Sequence, residues 1–478
     1  MSRVLKPDLC VVGGGSGGLT VAAGAAQMGA SVVLVEGHRM GGDCLNYGCV
    51  PSKALIAAAG HAHAMTSGGP FGIAPVAPQV DYAAAKDHVA RVIAGIAPHD
   101  SVERFEGLGV TVIEDWARFV SPTRIEAGGA AIEARRFVIA TGSAPFVPPI
   151  PGIESVHAWT NEDIFALRER PRHLIVIGGG PIGIEMAQAH RRLGCAVTVI
   201  EGARILGRED PELAAVVTER LRAEGVRLIE GAQAERIAAA EGGVAVTVGD
   251  KSAGGETVEG SHLLVAVGRR VNLERLDPEA GGVRTTKAGV TVDKGLRSVS
   301  NRRVYAIGDA AGGMQFTHLA GYHGGLVIRN ALFGLPVTAR TDHIPRVTFT
   351  DPELAQVGLT EAEAREVHGD RIEVLRFGYD ENDRARAELR TEGVAKVIVA
   401  KGRPVGAGIV GAKAGELIGL WSLVLANRMK IGAVAGMVAP YPTLGEVSKR
   451  AAGQYYVPRL FESASVKRAV RFVQRWLP

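Results

Sequence analysis

A chain of 478 residues is longer than one hydrophobic core usually serves, so two to four domains are expected. With 46% hydrophobic residues, 22% charged residues and 63 glycines, the composition excludes disordered and fibrous classes. The net charge of +4 is unevenly placed: from Lys449 onwards seven Lys or Arg face one Glu, a local +6 that leaves −2 on the rest, so the body is no polyanion binder and no nucleic-acid partner is expected.

Four cysteines, Cys10, Cys44, Cys49 and Cys195, are too few for a secreted disulfide scaffold. The N-terminus runs from Met1 through Lys6 straight into a glycine turn, which leaves no room for an apolar leader and predicts a cytoplasmic protein. The best apolar run, Leu417 to Ala426, is cut by Asn427, Arg428 and Lys430, so it predicts a buried helix rather than a bilayer span.

In chain order, Asp8 to Val12 reads as a short apolar strand. Gly13-x-Gly15-x-x-Gly18 follows, then an Ala-rich helix to about Met28 and a strand, Ser31 to Val35, ending in Glu36. Further on, a strand from Arg136 runs into Ala140-Thr141-Gly142-Ser143, and Pro145 to Pro151 reads as a connection, which sets a boundary near 150. The opening design then repeats about 165 positions on, as Leu174 to Ile177, Gly178-x-Gly180-x-x-Gly183, a helix to Leu193, and Ala196 to Ile200 ending in Glu201. In both copies the acid lies 23 positions after the first glycine. Leu263 to Gly268, followed by Arg269, closes the second copy, and Val304 to Ala310 is another strand ending in Gly308-Asp309. From about His343 strands and helices alternate without a phosphate loop, which predicts a separate α+β unit whose apolar stretches, 414–426 and 431–438, suit a subunit interface or a plain core.

Strand, glycines, helix, strand and acid together imply a dinucleotide at each copy. The glycines allow the tight turn and let backbone N–H groups reach a pyrophosphate at the helix N-terminus, and the carboxylate takes a ribose hydroxyl. At the second site Glu201 favours NADH, because a 2′-phosphate would meet it as a like charge; nearby Arg204 and Arg208 soften this and leave NADP(H) open.

Cys44-Leu45-Asn46-Tyr47-Gly48-Cys49-Val50-Pro51-Ser52-Lys53 carries the chemistry. The spacing brings two sulfurs together over one helical turn, and a thiolate at a helix N-terminus is stabilised by the backbone dipole. Structural zinc would need two further ligands, and none is evident, so no metal site is expected. Cys10 and Cys195 sit in apolar strands and read as inert buried thiols.

Gly41-Gly42-Asp43-Cys44 through Lys53, with the two dinucleotide folds, Ala140-Thr141-Gly142 and Gly308-Asp309-Ala310, resembles the class I pyridine nucleotide-disulfide oxidoreductases over roughly residues 6–455. The resemblance implies an α/β fold of two Rossmann-like domains, for FAD and NAD(P), plus a C-terminal α+β dimerisation domain. The expected segments are 1–150 (FAD), 151–270 (NAD(P)), 271–342 (completing the FAD domain), 343–455 (dimerisation) and 456–478 (tail). It assigns FAD to Gly13, Gly15, Gly18, Glu36, Gly42, Thr141, Gly142, Asp309 and Ala310, with Lys53 and His318 near the flavin. The nicotinamide dinucleotide falls to Gly178, Gly180, Gly183, Glu201 and Arg269, with Glu185 pairing Lys53. The implied reaction passes a hydride from NADH to the flavin and electrons on to a Cys44–Cys49 disulfide, Cys49 lying against the flavin and Cys44 attacking the acceptor.

One departure is informative. Where disulfide reductases carry a His before Pro-Thr and a following acid, this chain reads Pro440-Tyr441-Pro442-Thr443-Leu444-Gly445-Glu446. A phenol with pKa about 10 is a poorer proton acceptor than an imidazole near about 6.5. A tyrosine here is similar to mercuric reductase, yet that enzyme's C-terminal cysteine pair has no counterpart after Cys195. His318 and His323 are the other imidazoles of this region, with packing or hydrogen bonding as their expected role, and Asn382-Asp383-Arg384-Ala385 looks polar and exposed without an assignable task. The resemblance implies a homodimer joining Cys44 and Cys49 of one chain to Tyr441 and Glu446 of the other, with a disulfide or other small-molecule acceptor. Alternatives are a mercuric-reductase-like metal reductase, a dihydrolipoamide dehydrogenase, or a redox module bound to a membrane or partner through the basic tail. In that tail Val466, Ala469, Val470, Val473, Trp476 and Leu477 fall near helical spacing among Lys467, Arg468, Arg471 and Arg475, and packing on its own protein is the first expectation.

Overall fold

The computed structural model describes residues 3–249 and 255–477. The chain divides into two compact units, one of Met1–Gly178, Ala189–Ile200 and Ala232–Ala339, the other of Gly179–Gln188, Glu201–Gly231 and Arg340–Pro478.

In the first unit, apolar runs buried on both faces form parallel strands. Val304–Ala306, Arg136–Ile139, Leu9–Val12, Val32–Val35 and Thr111–Ile113 are neighbours in that order, all parallel. A second parallel set runs Ala158–Trp159, His262–Val265, His173–Ile177 and Ala196–Glu201. Both sets place a glycine turn after a central strand, so the duplication read in the sequence is a structural one. Antiparallel strands, Arg118–Ser121 with Arg124–Ala127 and Gln233–Ala240 with Gly243–Gly249 and Glu256–Gly260, complete the unit. Its core holds Phe119 edge-on to Phe137 at 5.5 Å, together with the buried Cys10.

The second unit is built on a five-stranded antiparallel sheet, ordered Arg346–Thr348, Glu353–Gly358, Arg403–Gly411, Val394–Ala400 and Ile372–Gly378. The apolar helix Ala414–Ala426 contributes Ile418, Trp421 and Val424 to the unit's core, and the Trp421 indole donates to Ser448 Oγ at 3.1 Å. It is therefore a core helix, as its interrupted apolar run predicts. No helix among the described residues is long and apolar enough to cross a membrane.

The sheet also buries a cation. Lys396, its side chain 4% exposed, reaches Asp210 at 2.9 Å, Glu212 at 2.8 Å and Glu361 at 2.9 Å. Asp210 caps the helix Pro211–Ala223, so the cluster fastens that helix to the sheet. Lys396→Met strands a buried carboxylate and should destabilise the protein by about 3–5 kcal/mol at neutral pH, read as a lower urea midpoint. The hydrogen bond from Lys396 holds the Glu361 carboxyl down at about 2. Its stabilisation is complete above the ordinary value of 4.5 and is lost as pH falls toward 2, so the difference between wild type and variant should shrink across that window.

The tail departs from expectation. Helix Ala464–Val473 forms, but none of its residues is buried against its own chain. Amphipathic spacing is enough to form the helix, but burial needs a facing surface from elsewhere in the fold.

Candidate active site

The two glycine turns share one hydrogen-bond plan. Gly13 N–H donates to Val35 O at 2.8 Å and Gly178 N–H to Ile200 O at 2.9 Å. The Glu36 carboxylate accepts Gly14 N–H at 2.5 Å and His38 N–H at 2.6 Å, as Glu201 accepts Gly179 N–H at 2.6 Å and Ala203 N–H at 2.9 Å. A Cβ on Gly13, whose φ is +110°, would lie 2.3 Å from Ala140 O; one on Gly178, φ +114°, would lie 2.4 Å from Ala266 O. The turns thus require glycine for backbone conformation and for strand contact. Gly15 precedes helix Ser16–Gln27 and Gly180 precedes Pro181–Arg192, which carries Gly183 and Glu185. Gly42, at φ +59°, packs its Cα against Gly15.

The cysteines do not share one helical turn. On a continuous helix positions five apart lie about 140° from each other, on different faces. The chain instead breaks at Tyr47-Gly48: Cys44 belongs to the short helix Gly42–Asn46, and Cys49 opens the long helix Cys49–Thr66. The break turns the two sulfurs into hydrogen-bond reach. Donation from the Cys44 thiol, with help from Thr317 and the Lys53 ammonium, brings the Cys49 thiol down to about 6 against partial desolvation of an otherwise exposed residue. The same bond, with burial, holds the Cys44 thiol well above its ordinary value. Cys49 Sγ lies 3.4 Å from Thr317 Oγ1, at the start of helix Thr317–Phe333. By contrast, burial pushes Cys10 up to about 12 and Cys195 up to about 11, which leaves both inert at neutral pH.

Around this pair a polar chain links several predicted residues. Ser143 Oγ donates to Asp309 Oδ2 at 2.5 Å; Arg269 donates to Ser143 Oγ and to its carbonyl, each at 2.7 Å, and its guanidinium meets Asp43 at 3.0 Å. Arg269, expected at the nicotinamide dinucleotide, is thereby tied to the segment that carries the cysteines. Asn161 also donates to Asp43, at 3.0 Å. His323 is buried and accepts the Gly308 N–H at 3.2 Å, and burial lowers it to about 4, so it braces the Gly308-Asp309-Ala310 turn as a neutral ring. His318 stacks on Phe316 at 5.3 Å.

In the second unit Tyr441 is 69% exposed and donates to Asp383 Oδ2 at 3.0 Å, a bond that raises its pKa further above the ordinary phenol value. Asn382 caps the short helix Asp383–Ala387 and donates to Thr443 O at 3.1 Å. The segment without an assignable task in the sequence therefore holds the Tyr441 loop. Glu446 begins helix Glu446–Gly453, and Glu185 is buried and accepts the Phe349 N–H at 2.9 Å. Thr317, Asp43, Ser143 and Asp383 were missed because only tertiary neighbours reveal them. Among the described residues no cluster of three or more His, Cys, Asp or Glu is placed to hold a metal ion.

Residues 7–324 match the family model described as pyridine nucleotide-disulphide oxidoreductase. The chain belongs to this family. The oxidoreductase also matches the family's dimerisation domain over residues 344–452. It is 34% identical over 453 residues to mercuric reductase of Lysinibacillus sphaericus, covering 93% of this chain and 82% of that one. It is 35% identical over 461 residues to dihydrolipoyl dehydrogenase of Geobacillus stearothermophilus, covering 94% and 96%. Among solved structures, the HOCl-induced flavoprotein disulfide reductase RclA of Escherichia coli aligns with TM-score 0.82 and 29% identity, covering 93% of this chain and 99% of that one.

The family is FAD-dependent and uses NAD(P)H. The oxidoreductase fits FAD: a Cβ on Gly18 would sit 1.9 Å from Gly13 O, the turn offers backbone N–H groups at a helix start, and Thr141 Oγ1 is buried without a partner.

Proposed function

We propose that the protein moves electrons from NADH through FAD to a Cys44–Cys49 disulfide, and from the resulting dithiol to a thiol-reactive acceptor. The observation that carries this reading is geometric: the break at Gly48 brings the Cys44 and Cys49 sulfurs into hydrogen-bond reach of each other, with Thr317 Oγ1 3.4 Å from Cys49 Sγ and Lys53 one turn further on. Bound FAD supplies acceptance of the hydride and delivery of its electron pair to the disulfide. Breaking the disulfide leaves Cys49 as a thiolate held by Thr317 and Lys53, while Cys44 takes the proton. Cys44 attacks an acceptor disulfide and its proton passes to the first departing thiolate; the Cys49 thiolate then attacks Cys44 Sγ, expels the second sulfur as a thiolate and restores the pair. Gly13, Gly15, Gly18, Glu36, Gly42, Thr141, Gly142, Asp309 and Ala310 hold FAD in this reading, and Gly178, Gly180, Gly183, Glu201 and Glu185 serve NADH. The matched dimerisation domain supports a homodimer, and four cysteines in so long a chain suit a reducing, cytoplasmic setting.

Mercuric or cupric ion is a second class of acceptor, favoured by Tyr441, a neutral phenol where a base would serve thiol exchange. NADH oxidation measured against lipoamide, oxidised glutathione, mercuric and cupric ions decides between them; a protein whose oxidation of NADH responds to none of these refutes the reading.

Preference for NADH rests on Glu201. One guanidinium nitrogen of Arg204 donates to Gly207 O at 3.1 Å and Glu209 O at 3.0 Å within its own loop, which favours this reading. Glu201→Gln keeps an acceptor oxygen for Gly179 N–H and removes the charge. NADPH should then gain roughly tenfold in kcat/KM relative to NADH, because one like-charge contact is removed.

A further inference from the structure

The excess charge of the chain is concentrated at its end. Residues 456–478 hold five Lys or Arg and one Glu, which leaves 49 of each sign on the other 455 residues. The root of this segment is fastened: Arg459 makes a two-pronged pair with Glu373, both contacts 2.7 Å, and lies over the Tyr455 ring at 3.6 Å. Beyond it, Ser463 caps helix Ala464–Val473 by accepting Val466 N–H. Helical turns continue past Val473 through the N–H groups of Gln474, Arg475, Trp476 and Leu477.

At about 100° per residue, Val466, Val470, Val473 and Leu477 share one face, with Trp476 and Phe472 on its flank, and Lys467, Arg468, Arg471 and Arg475 fill the opposite side. The apolar side is open: Phe472 is 65% exposed, Trp476 75% and Leu477 61%. Phe461, 68% exposed, extends it by lining one groove with Val466 and Val470.

We propose that this helix lies in the headgroup region of an anionic lipid surface. Three features favour that occupant. The helix is far too short to span a bilayer, and an apolar face flanked by Trp and Phe with a wholly basic opposite face is the pattern of an interfacial anchor. Within the helix and the turns that continue it every charged side chain, Lys467, Arg468, Arg471 and Arg475, is basic. These four residues of the opposite face complement a negative surface in charge.

Full-length FAD-loaded protein should co-sediment with phosphatidylcholine vesicles containing phosphatidylglycerol, not with pure phosphatidylcholine vesicles, and salt should release it. The Trp476 contribution, obtained by difference from Trp476→Phe, should shift to the blue on binding. Arg468→Glu with Arg471→Glu should cut partitioning by roughly fivefold or more per charge, and Val470→Asp should abolish it. Deleting residues 462–478 should remove binding while NADH still reduces the flavin and the dimer persists. Absence of binding to the anionic vesicles, or binding that survives the deletion, overturns the proposal. So does a deletion that dissociates the dimer or lowers its melting temperature, since a second copy would then be what covers the helix.

Discussion

Cys49→Ser should abolish NADH-dependent reduction of any disulfide or metal acceptor, by roughly a thousandfold or more, while NADH still bleaches the flavin. The reasoning is structural and electrostatic together. The Cys44 thiol, Thr317 and Lys53 converge on this sulfur to make it anionic near neutrality, and a serine hydroxyl at the same place stays protonated. The pH dependence follows with a definite sign. The Cys49 pKa is depressed to about 6, so in the reduced enzyme the thiolate, seen as long-wavelength absorbance beside the flavin, should appear as pH rises through about 6 and fade below it. Cys44→Ala removes the largest cause of the depression and should move the midpoint upward by about one unit or more. Lys53→Met should move it less. A band that titrates identically in wild type and Cys44→Ala would show that the sulfur pair is not coupled as described. Equal loss of flavin bleaching in Cys49→Ser would place the defect before the cysteines.

Gly18→Ala should yield protein without FAD and, in most preparations, without a fold. Its Cβ would lie 1.9 Å from Gly13 O and 3.3 Å from the Val11 side chain, a clash with backbone that no rotamer relieves. Gly15→Ala separates the two consequences. There the nearest atom to a new Cβ is Gly42 Cα, 3.8 Å away, so the chain keeps its fold while the added methyl stands where the turn must approach a pyrophosphate. Apo-protein from Gly15→Ala should show the wild-type far-ultraviolet dichroism and a flavin affinity reduced by roughly a hundredfold, measured by quenching of FAD fluorescence. Gly60→Ala, with nothing within 4 Å of its Cβ in the middle of helix Cys49–Thr66, is the matched control and should be neutral or slightly stabilising. Normal flavin binding by Gly15→Ala would remove that turn from the cofactor's contacts.

The repeated strand, glycine turn, helix and acid are legible in the chain's local pattern, because buried parallel strands are continuous apolar runs and a tight turn leaves only glycine as a choice. The second copy then repeats the first at atomic level: Gly41 N–H donates to Gly14 O and Leu206 N–H to Gly179 O, each at 2.9 Å. The reactive cysteines were legible for the same local reason, six consecutive positions and a lysine one turn on. What the sequence could not show is everything that depends on chain crossing chain. The helical periodicity of Cys44 to Lys53 reads as continuous, and only the backbone at Gly48 reveals the break that aims the sulfurs at each other. Thr317, 268 positions from Cys49, and Asp383, 58 positions from Tyr441, become partners through folding alone. Local pattern decides which residues can do chemistry, since conformation and charge are properties of neighbours in sequence. The pKa values that make one thiol a nucleophile's reserve and the other its partner come from groups brought together by packing, and so belong to the tertiary structure.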